Sequence, residues 1–384
     1  MNIGFDAKRA YHNQTGLGHY SRTLVQSLAV HYPEHQYFMF NPRPSQLFSF
    51  EQFQNVREVL PSGILHKKLS SVWRSNWVKG DLLRHNIDIY HGLSHEIPLN
   101  IHSTRIKSVV TIHDLIHERY PHQYSKIDRR IYTQKFRYAC DHADVVIAIS
   151  EQTKQDIIEF YRIDASKIKV CYQSCNEAFG KQVDEAEKQR VKHLYNLPDC
   201  FFLSVGSVIE RKNLLGICKA INSIKHQIKI PLVVIGSGGA YKESVLSYIQ
   251  QNDLNSHIIF LSDNPITKST ASFQNASDFP AIYQQAKAMI YPSYFEGFGI
   301  PVLEALWSRI PVITSNISCL PEAGGEGAFY VNPSKPEEIA EQIKKILSDK
   351  ELVDKQIEKG WQHAQKFSNF QTASTVMELY KALK

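Results

Sequence analysis

The segment from Ala288 to Glu304 restricts the fold of this chain most strongly, because it joins a buried strand, a glycine-bearing loop and the start of a helix. The apolar run Ala288–Tyr291 predicts the strand, and Pro301 suits the first turn of a helix, where its missing N–H costs nothing. At such a helix start the backbone N–H groups and the helix dipole favour a bound anion. The segment therefore predicts a strand–loop–helix unit with an anion site.

Two glutamates lie in this segment, Glu296 in the loop and Glu304 about one turn inside the helix. The seven residues between them allow the two carboxylates to bind separate hydrogen-bonding parts of one long ligand. An anionic ligand rich in hydroxyl groups, such as a nucleotide sugar, fits both the glutamates and the anion site. A loop glutamate and an exposed helix glutamate with no common ligand would show the same spacing, so the spacing alone leaves both interpretations open.

Strands and helices alternate in two series along the chain, which predicts an α/β fold. The first series contains predicted strands at Ile3–Phe5, Tyr37–Phe40, Asp88–Tyr90, Ser108–Ile112, Ala143–Ser150 and Ile168–Cys171. The second contains Phe201–Val205, Pro231–Ile235, Ile258–Leu261, Ala288–Tyr291 and Pro311–Thr314. A chain of 384 residues suits two domains, which we predict at residues 1–182 and 183–366, with a last helix at 367–384.

Composition excludes several classes of protein. The apolar fraction of 43% and the charged fraction of 21% are those of a globular protein rather than a disordered or fibrous one. The six cysteines include no C-x-x-C pair, which predicts reduced thiols and a cytoplasmic location. The first ten residues lack the pattern of a signal peptide, and we expect no membrane-spanning segment because no apolar run is long enough.

The net charge of +6 is confined to the first half of the chain. Residues 1–182 contain 23 Lys and Arg against 17 Asp and Glu, and the remainder contains 21 of each, so the excess is 23 − 17 = 6 in the first half. Such a bias indicates an anionic partner, either membrane lipid or nucleic acid, unless the distribution arose by chance.

The stretch Ile64–Lys79 interleaves basic residues with aromatic and aliphatic ones. Trp73 and Trp77 are one helical turn apart and Leu69 is a turn earlier, so the three are predicted to share one face of a helix. Its four basic residues are Lys67, Lys68, Arg74 and Lys79. This pattern is typical of a helix at a membrane surface, and a core helix with a solvated basic side explains it as well.

Glycines and polar residues follow the predicted strands of the first series. Gly16 and Gly18 lie between the first strand and the first helix, where they allow a backbone to approach a phosphate or sugar closely. His113 and Asp114 directly follow a later strand, and ligands bind at this end of the strands in open α/β sheets. His113 and His117 do not predict a metal site, because a helical His pair needs both residues on a helix.

In the second series Arg211 and Lys212 follow a strand and Gly206, at the start of a helix. Arg as a bidentate fork and Lys as a point charge are able to neutralise a diphosphate, although the same residues also occur in exposed polar turns. The glycines after Pro231–Ile235 do not form G-x-G-x-x-G, and the chain contains no P-loop motif. A dehydrogenase-type dinucleotide site or a P-loop nucleotide site is therefore not predicted.

Several of these motifs together resemble a known enzyme family. The blocks are TGLGHY at 15–20, HDLI at 113–116, ERKN at 210–213, YFEGFGIPVLEA at 294–305 and SNISCLPE at 315–322. In this order they resemble the retaining glycosyltransferases of the GT-B fold, specifically glycosyltransferase family 4, and most closely its bacterial O-antigen mannosyltransferases. The chain departs from the family pattern at His19, where the family often has Arg, and at Cys319, which replaces a Ser.

The resemblance implies a GT-B architecture of two Rossmann-like doubly wound domains that face each other across a cleft. It also implies retaining transfer of a hexose, with mannose from GDP-mannose favoured, to a hydroxyl of a glycan or lipid-linked saccharide in O-antigen or capsule synthesis. A UDP-sugar donor and a phosphorylase or synthase are alternatives on the same fold. A nucleic-acid-binding protein fits the ordered carboxylate motifs less well.

The resemblance also assigns roles to residues. Its catalytic group is His113, which contacts the donor sugar, Asp114, near the acceptor, and Glu296, which holds hydroxyls of the transferred sugar. The implied donor-binding residues are Gly16, Gly18, Arg211, Lys212, Phe298, Gly299, Ile300 and Glu304, the last of them on the ribose. The last helix is expected to cross back to the first domain.

We expect no metal and no cofactor, because Arg211 and Lys212 stand where a metal would neutralise the diphosphate and the chain has no Asp-x-Asp pair. The expected partners are a nucleotide sugar, a glycan or lipid-linked saccharide acceptor and a membrane surface contacted through Ile64–Lys79, without nucleic acid. That contact would place the protein peripherally at the inner face of the membrane.

Overall fold

The computed structural model describes residues 1–384. Internal contacts divide the chain into two units, one made of Met1–Ser174 with Phe367–Lys384 and the other of Cys175–Lys366. Each unit contains one parallel sheet and a set of helices, so the predicted α/β class is confirmed.

The first unit contains a seven-stranded sheet whose order is β3-β2-β1-β4-β5-β6-β7. Its strands are β1 (Asn2–Asp6), β2 (Gln36–Phe40), β3 (Val56–Val59), β4 (Ile89–Gly92), β5 (Lys107–Ile112), β6 (Val145–Ala148) and β7 (Ile168–Val170). All of its strand pairs are parallel. The chain therefore winds outward from β1 in one direction and then from β4 in the other, as in doubly wound folds.

The second unit repeats this order in a six-stranded parallel sheet, β10-β9-β8-β11-β12-β13. Its strands are β8 (Phe202–Val205), β9 (Leu232–Ile235), β10 (Ile258–Phe260), β11 (Ala288–Tyr291), β12 (Val312–Ser315) and β13 (Phe329–Val331). Both units thus have the Rossmann-like strand order expected from the family motifs. The sequence pattern missed β3 and β13, which are edge strands, because an edge strand such as β3 exposes polar side chains and has no continuous apolar run.

The helices flank the two sheets. In the first unit the α-helices are Lys8–His12, Gly16–His31, Ile64–Lys68, Ser70–Val72, Val78–Arg84, Ile116–Arg119, Lys126–His142, Glu151–Asp156 and Asn369–Leu383. In the second unit they are Glu185–Tyr195, Leu214–Ile224, Ala240–Gln251, Pro265–Ser269, Ala271–Gln274, Phe279–Tyr283, Ile300–Trp307, Leu320–Gly324, Pro336–Ser348 and Lys350–Ala364. Two segments are π-helical, Trp73–Trp77 and Ile157–Tyr161. Short 3₁₀ turns occur at Ile101–Ser103, Pro121–Gln123, Ala165–Lys167, Glu177–Gly180, Glu210–Lys212, Leu261–Asp263, Gly325–Gly327 and Gln365–Phe367.

Helices on both faces bury most residues of the central strands, which explains the continuous apolar sequences of those strands. In the first unit successive residues of one strand enter different cores: Val109 packs on one face of the sheet and Val110 on the other. In the second unit all four residues of β11 are buried. Burial of this kind positions the ends of the strands, where the polar loops begin.

The chain enters the second unit at Cys175 rather than at residue 183, the start predicted for the second domain. The intervening residues pack there, because the Phe179 ring contacts the ring of Tyr283 with 4.9 Å between centroids. In addition, the N–H of Val183 donates to Gln284 at 3.0 Å. The charged residues of this stretch suggested an exposed linker, so the sequence did not predict these contacts.

The last helix, Asn369–Leu383, belongs to the first unit. Tyr380 is fully buried and its hydroxyl lies 2.5 Å from Nδ1 of His91 on β4. Phe370 contacts the ring of His31 at 5.1 Å between centroids, so the helix packs against the end of Gly16–His31.

The stretch Ile64–Lys79 is not one continuous helix with an aromatic stripe. Leu69 adopts φ −107° and ψ 48° between two short helices, and its side chain is 44% exposed. Trp73 is fully buried and its indole N–H donates to Asp81 at 2.7 Å. The expectation of a shared face for Leu69 and Trp73 was wrong, and the core interpretation holds for Trp73.

Two further observations concern the whole chain. None of the six cysteines forms a disulfide, and Cys200 is the exposed one. No helix combines the length and the apolar character that crossing a bilayer requires.

Candidate active site

The sheet of the second unit changes winding direction between β8 and β11, and ligands of doubly wound folds bind at such a point, beyond the carboxyl ends of the strands. Arg211 and Lys212 lie in the connection that follows β8, and Glu296 lies in the loop that follows β11. The structure brings these three predicted residues together. The guanidinium of Arg211 lies 2.8 Å from one carboxylate oxygen of Glu296, and the ammonium of Lys212 lies 3.3 Å from the other.

Hydroxyl groups complete the surroundings of the Glu296 carboxylate. Tyr291 and Ser293 both donate to its Oε1, at 2.8 and 3.0 Å, and Lys212 donates to the Tyr291 hydroxyl at 2.6 Å. Burial alone would raise the pKa of Glu296, but the charges of Lys212 and Arg211 and the hydrogen bonds outweigh it and lower the pKa to about 2. Glu296 is therefore ionised and binds another hydroxyl only by giving up one of its present partners.

Gly206 and Asn213, on either side of the two cations in sequence, shape the loop that carries them. Gly206 has φ +134°, and a Cβ there would lie 2.7 Å from the Lys212 ammonium, so the position favours glycine. Asn213, also in the left-handed region, donates from its side-chain amide to the carbonyls of Pro292 and Pro333, at 3.2 and 2.7 Å. The loop after β8 is thus fastened to the loop after β11.

Glu304 has very different surroundings. It lies in the helix Ile300–Trp307, is partly buried, and accepts a hydrogen bond of 2.7 Å from the hydroxyl of Tyr283. Burial raises the pKa of Glu304 to about 7, against the smaller opposing effects of the Tyr283 hydrogen bond and the charge of Lys212. Unlike Glu296, this carboxylate therefore retains acceptor capacity for a ligand.

The helix that carries Glu304 begins in the predicted way. Gly299 adopts φ +107° immediately before it, and a Cβ at Gly299 would lie 2.9 Å from the side chain of Leu320. No side chain caps this helix start, so the backbone donors near Gly299 and Ile300 suit an anion. Phe298 is 1% exposed, so its ring is part of the core and a ligand would meet only its backbone.

In the first unit His113 lies in the loop after β5 and is 5% exposed. Its Nε2 lies 2.9 Å from the carbonyl oxygen of Leu93 and must donate there, because a carbonyl only accepts. Burial lowers the pKa of His113 to about 4, and the contact with Leu93 opposes this only in part. The neutral ring therefore presents Nδ1 as an acceptor, and Tyr20 supports it edge-on with 4.6 Å between ring centroids.

The other predicted residues of the first unit are placed as follows. Asp114 is partly buried and its carboxylate accepts from the N–H of Ile116 at 3.1 Å. His117 lies 3.1 Å from the hydroxyl of Tyr161, so it and His113 have different partners. No group of three or more His, Cys, Asp or Glu side chains is arranged to hold a metal ion.

Gly16 and Gly18 lie at the start of Gly16–His31 and differ in their surroundings. Gly16 is exposed, with no atom within 4 Å of an added Cβ. At Gly18 a Cβ would come within 2.0 Å of the Asn13 carbonyl oxygen, so the chain's own turn requires this glycine. Asn13 shapes that turn by accepting from the N–H groups of Thr15 and Gly18 at 2.8 and 3.1 Å.

Sequence reasoning missed a charged cluster where the first sheet changes direction, between β1 and β4. Arg74 donates to Asp6 at 2.9 Å and to Glu96 at 3.0 Å, and Lys135 contacts Glu96 at 3.4 Å. Burial opposes ionisation of Asp6, but Arg74 outweighs it and lowers the pKa of Asp6. The position of Asp6 at the end of a strand was a signal for this cluster, whereas its partners are distant in sequence.

Comparison with known proteins agrees with this arrangement. Residues 15–177 match a family model described as Glycosyltransferase Family 4, and residues 185–363 match one described as Glycosyl transferases group 1. The O-antigen chain mannosyltransferase B of Escherichia coli is 24% identical over 400 residues, with all of both chains covered. RfbU, an O-antigen chain mannosyltransferase of Salmonella typhimurium, is 30% identical over 253 residues, which cover 66% of this chain and 63% of RfbU. The serotype-specific mannosyltransferase WbdA of Escherichia coli is 29% identical over 314 residues, 77% of this chain but only 36% of WbdA.

Solved structures show the same fold. A glycosyltransferase from Rickettsia africae superposes with a TM-score of 0.75 at 18% identity, covering 100% of this chain and 98% of that one. The Anabaena protein HepE, in complex with UDP and glucose, gives 0.71 at 15% identity over 99% of both chains. The sucrose-phosphate synthase of Thermosynechococcus elongatus gives 0.76 at 18% identity over 100% and 99%. The two family models confirm the glycosyltransferase family indicated by the sequence motifs, and these structures show its fold.

Proposed function

This chain belongs to the GT-B glycosyltransferases, its first half to glycosyltransferase family 4 and its second half to the group 1 glycosyl transferases, and from this we propose that it transfers a hexose with retention of configuration. The proposed donor is GDP-mannose. The proposed acceptor is a hydroxyl of a glycan or lipid-linked saccharide in the synthesis of a cell-surface polysaccharide.

The observation that carries the proposal is the Arg211–Lys212–Glu296 cluster at the switch point of the second sheet. When the bond between the sugar and the diphosphate breaks, negative charge grows on the departing diphosphate. Two cations already fixed in position, together with the start of the helix at Ile300, stabilise that charge without reorganising. The same groups neutralise the diphosphate in the ground state, so the proposal includes no metal.

The remaining residues have roles that match their hydrogen-bonding capacity. Glu304 accepts from the ribose hydroxyls, since its carboxylate has one protein donor. His113 accepts a sugar hydroxyl at Nδ1, because its Nε2 donates to Leu93. Glu296 positions the two cations and holds hydroxyls of the transferred sugar, exchanging a present partner for them. Asp114 is proposed to lie near the acceptor.

The chemical step balances without a general base from the protein. The bond from the sugar's anomeric carbon to the diphosphate oxygen breaks, and the acceptor oxygen bonds to that carbon from the same face. The acceptor proton passes to the departing phosphate oxygen. The products are the glycosylated acceptor and the nucleoside diphosphate.

The donor is the finer part of the proposal. GDP-mannose is favoured because O-antigen chain mannosyltransferase B, RfbU and WbdA are all named as mannosyltransferases. A UDP-sugar is the second candidate because HepE, with the same fold, was solved in complex with UDP and glucose and with UDP-glucose.

Thermal-shift screening of GDP, UDP and ADP and of their sugars separates the two candidates. A nucleotide that binds the folded state stabilises it and so raises the melting temperature. At a concentration one hundred times its Kd, the added free energy of unfolding is about 2.7 kcal/mol. We expect the largest shift with GDP and GDP-mannose. A shift with UDP alone would indicate a UDP-sugar as the donor in place of GDP-mannose. Turnover with phosphate as the acceptor would identify the enzyme as a phosphorylase.

A further inference from the structure

A series of buried hydrogen bonds joins the last helix to the first sheet. Tyr380, near the end of the helix Asn369–Leu383, places its hydroxyl 2.5 Å from Nδ1 of His91 on β4. The other ring nitrogen of His91, Nε2, lies 2.7 Å from the hydroxyl oxygen of Thr111 on β5. All three side chains are fully buried, so water does not compete for these hydrogen bonds.

Thr111 connects this series to His113, the residue that we propose binds a hydroxyl of the sugar. The hydroxyl of Tyr20 lies 3.1 Å from the Thr111 hydroxyl oxygen, and the Tyr20 ring packs edge-on against His113 with 4.6 Å between ring centroids. The carbonyl oxygen of Thr111 accepts from the backbone N–H of His95 at 2.9 Å, and 5.2 Å separate the ring centroids of His95 and His113. Two ring neighbours of His113 are therefore attached to Thr111.

The neutral state of His91 makes the orientation of the series depend on both of its ends. Burial, with a smaller contribution from His113, lowers the pKa of His91 to about 3, so the ring is neutral. A neutral imidazole donates at one nitrogen and accepts at the other, so one hydroxyl partner donates to His91 and the other accepts from it. Without the Tyr380 hydroxyl, nothing fixes whether Nε2 donates to Thr111 or accepts from it. The Thr111 hydroxyl and the Tyr20 ring then lose their fixed orientation.

We propose that Tyr380 and His91 are positioning residues for the transfer reaction and act on the sugar through His113. The hydrogen bond from Nε2 of His113 to Leu93, at 2.9 Å, leaves the tilt of the ring about that bond free, and the edge-on Tyr20 ring restricts it. In a closely packed interior, a ring follows the movement of its neighbour. A change at Tyr380 therefore alters the direction in which Nδ1 of His113 faces the sugar.

The role of the sugar in this inference rests on the proposed function, whereas the orientation of the His113 ring does not. The two are tested by separate measurements, one of them on the ligand-free protein. Tyr380→Phe is the central variant because it removes the hydroxyl and keeps the ring. Thr111→Val interrupts the same series at its middle and keeps the shape of the side chain, so it serves if Tyr380→Phe does not fold.

Tyr37 offers a matched control. Its side chain is fully buried in the same unit, and its hydroxyl donates to the carbonyl oxygens of Leu28 and Tyr32 at 3.0 and 2.9 Å. None of these groups belongs to the series that ends at His113. Tyr37→Phe therefore loses buried hydrogen bonds, as Tyr380→Phe does, and should lower the stability of the unit without moving the His113 ring.

Nuclear magnetic resonance of isotope-labelled histidine side chains measures the orientation in the ligand-free protein. His113→Asn identifies the imidazole signals of His113 by their loss. We expect Tyr380→Phe to shift or broaden these signals, because the ring loses its fixed tilt, and Tyr37→Phe to leave them unchanged. Unchanged His113 signals in both Tyr380→Phe and Thr111→Val would overturn the proposal.

The kinetics of GDP release from GDP-mannose, with methyl α-mannoside as the acceptor, measure the effect on the sugar. Loss of one hydrogen bond predicts a fall in kcat/KM of about 2- to 12-fold for Tyr380→Phe, and we expect no change for Tyr37→Phe. The Kd of GDP measured by calorimetry should stay the same in both variants, because Arg211, Lys212 and Glu304 lie in the second unit.

A double substitution shows whether Tyr380 acts through His113. In a His113→Asn background, Tyr380→Phe should cause no further loss of kcat/KM, because the group through which it acts is gone. A full further loss in that background would overturn the proposal, and so would an equal loss of kcat/KM in Tyr380→Phe and Tyr37→Phe. If the parent protein releases no GDP from GDP-mannose, the proposed donor is wrong, and the imidazole signals of His113 still test the positioning.

Discussion

The raised pKa of Glu304 predicts that nucleotide binding depends on pH in a defined way. In the ligand-free protein the pKa is about 7, so the carboxyl is largely protonated at pH 6 and largely ionised at pH 8. Ribose hydroxyls donate to the ionised carboxylate, so the nucleotide prefers the ionised protein and binding releases a proton. Affinity should therefore fall as the pH falls below 7.

The magnitude follows from the fraction of ionised Glu304. With a pKa of about 7, roughly a tenth is ionised at pH 6 and roughly nine tenths at pH 8. The affinity for GDP should thus fall about tenfold between pH 8 and pH 6, equivalent to about 1.4 kcal/mol. At pH 7 binding should release about half a proton from this group.

Titration calorimetry in buffers of different ionisation enthalpy measures both the affinity and the proton release. The control is Glu304→Gln, which keeps the volume and cannot ionise. The terminal phosphate of GDP also titrates in this range, but it does so equally with both proteins, so the difference between them isolates Glu304. The same pH profile and proton release for the parent and for Glu304→Gln would refute the reasoning.

Four further predictions concern the same site. Glu296→Gln should lower turnover about 10- to 100-fold, because the transferred sugar loses a charged hydrogen bond. It should not weaken GDP binding measured by calorimetry, because the substitution removes a carboxylate that competes with the diphosphate for both cations. Because the folded pKa of Glu296 is lowered from 4.5 to about 2, the stability it contributes is present above pH 4.5 and lost as the pH falls toward 2, so acid unfolding of Glu296→Gln should be less steep. Gly206→Ala should displace Lys212, cost about 1–3 kcal/mol in chemical denaturation and weaken GDP binding, whereas Gly80→Ala, with open space around it, should do neither. Turnover should survive EDTA; full loss in EDTA with recovery in Mg²⁺ would show that the two cations do not suffice.

The fold was predictable from sequence to the extent that parallel strands are buried on both faces. Such strands appear as continuous apolar runs, as at Ala288–Tyr291, and the glycines and polar residues after them mark their carboxyl ends. The edge strand Val56–Val59 was not predictable in this way, since Arg57 and Glu58 are exposed. The break at Leu69 was also hidden, because a helical spacing pattern carries no information about a local change of backbone direction.

At the site, the charged residues were predictable and their supports were not. The sequence predicted both strands that precede the charged residues, and the sheet changes direction between these two strands. This is why Arg211, Lys212 and Glu296 were recognisable as site residues. Tyr291, which donates to Glu296, ends an apolar strand and has the sequence appearance of a core residue. Asn213 looks like an ordinary turn residue in the sequence, but its side-chain amide fastens two loops that are far apart along the chain.

A crystal structure of the protein with GDP bound tests the central claim most directly. We predict that the diphosphate contacts Arg211, Lys212 and the helix start at Ile300, and that the ribose hydroxyls donate to the carboxylate of Glu304. A diphosphate that contacts neither cation, or a ribose away from Glu304, would contradict it.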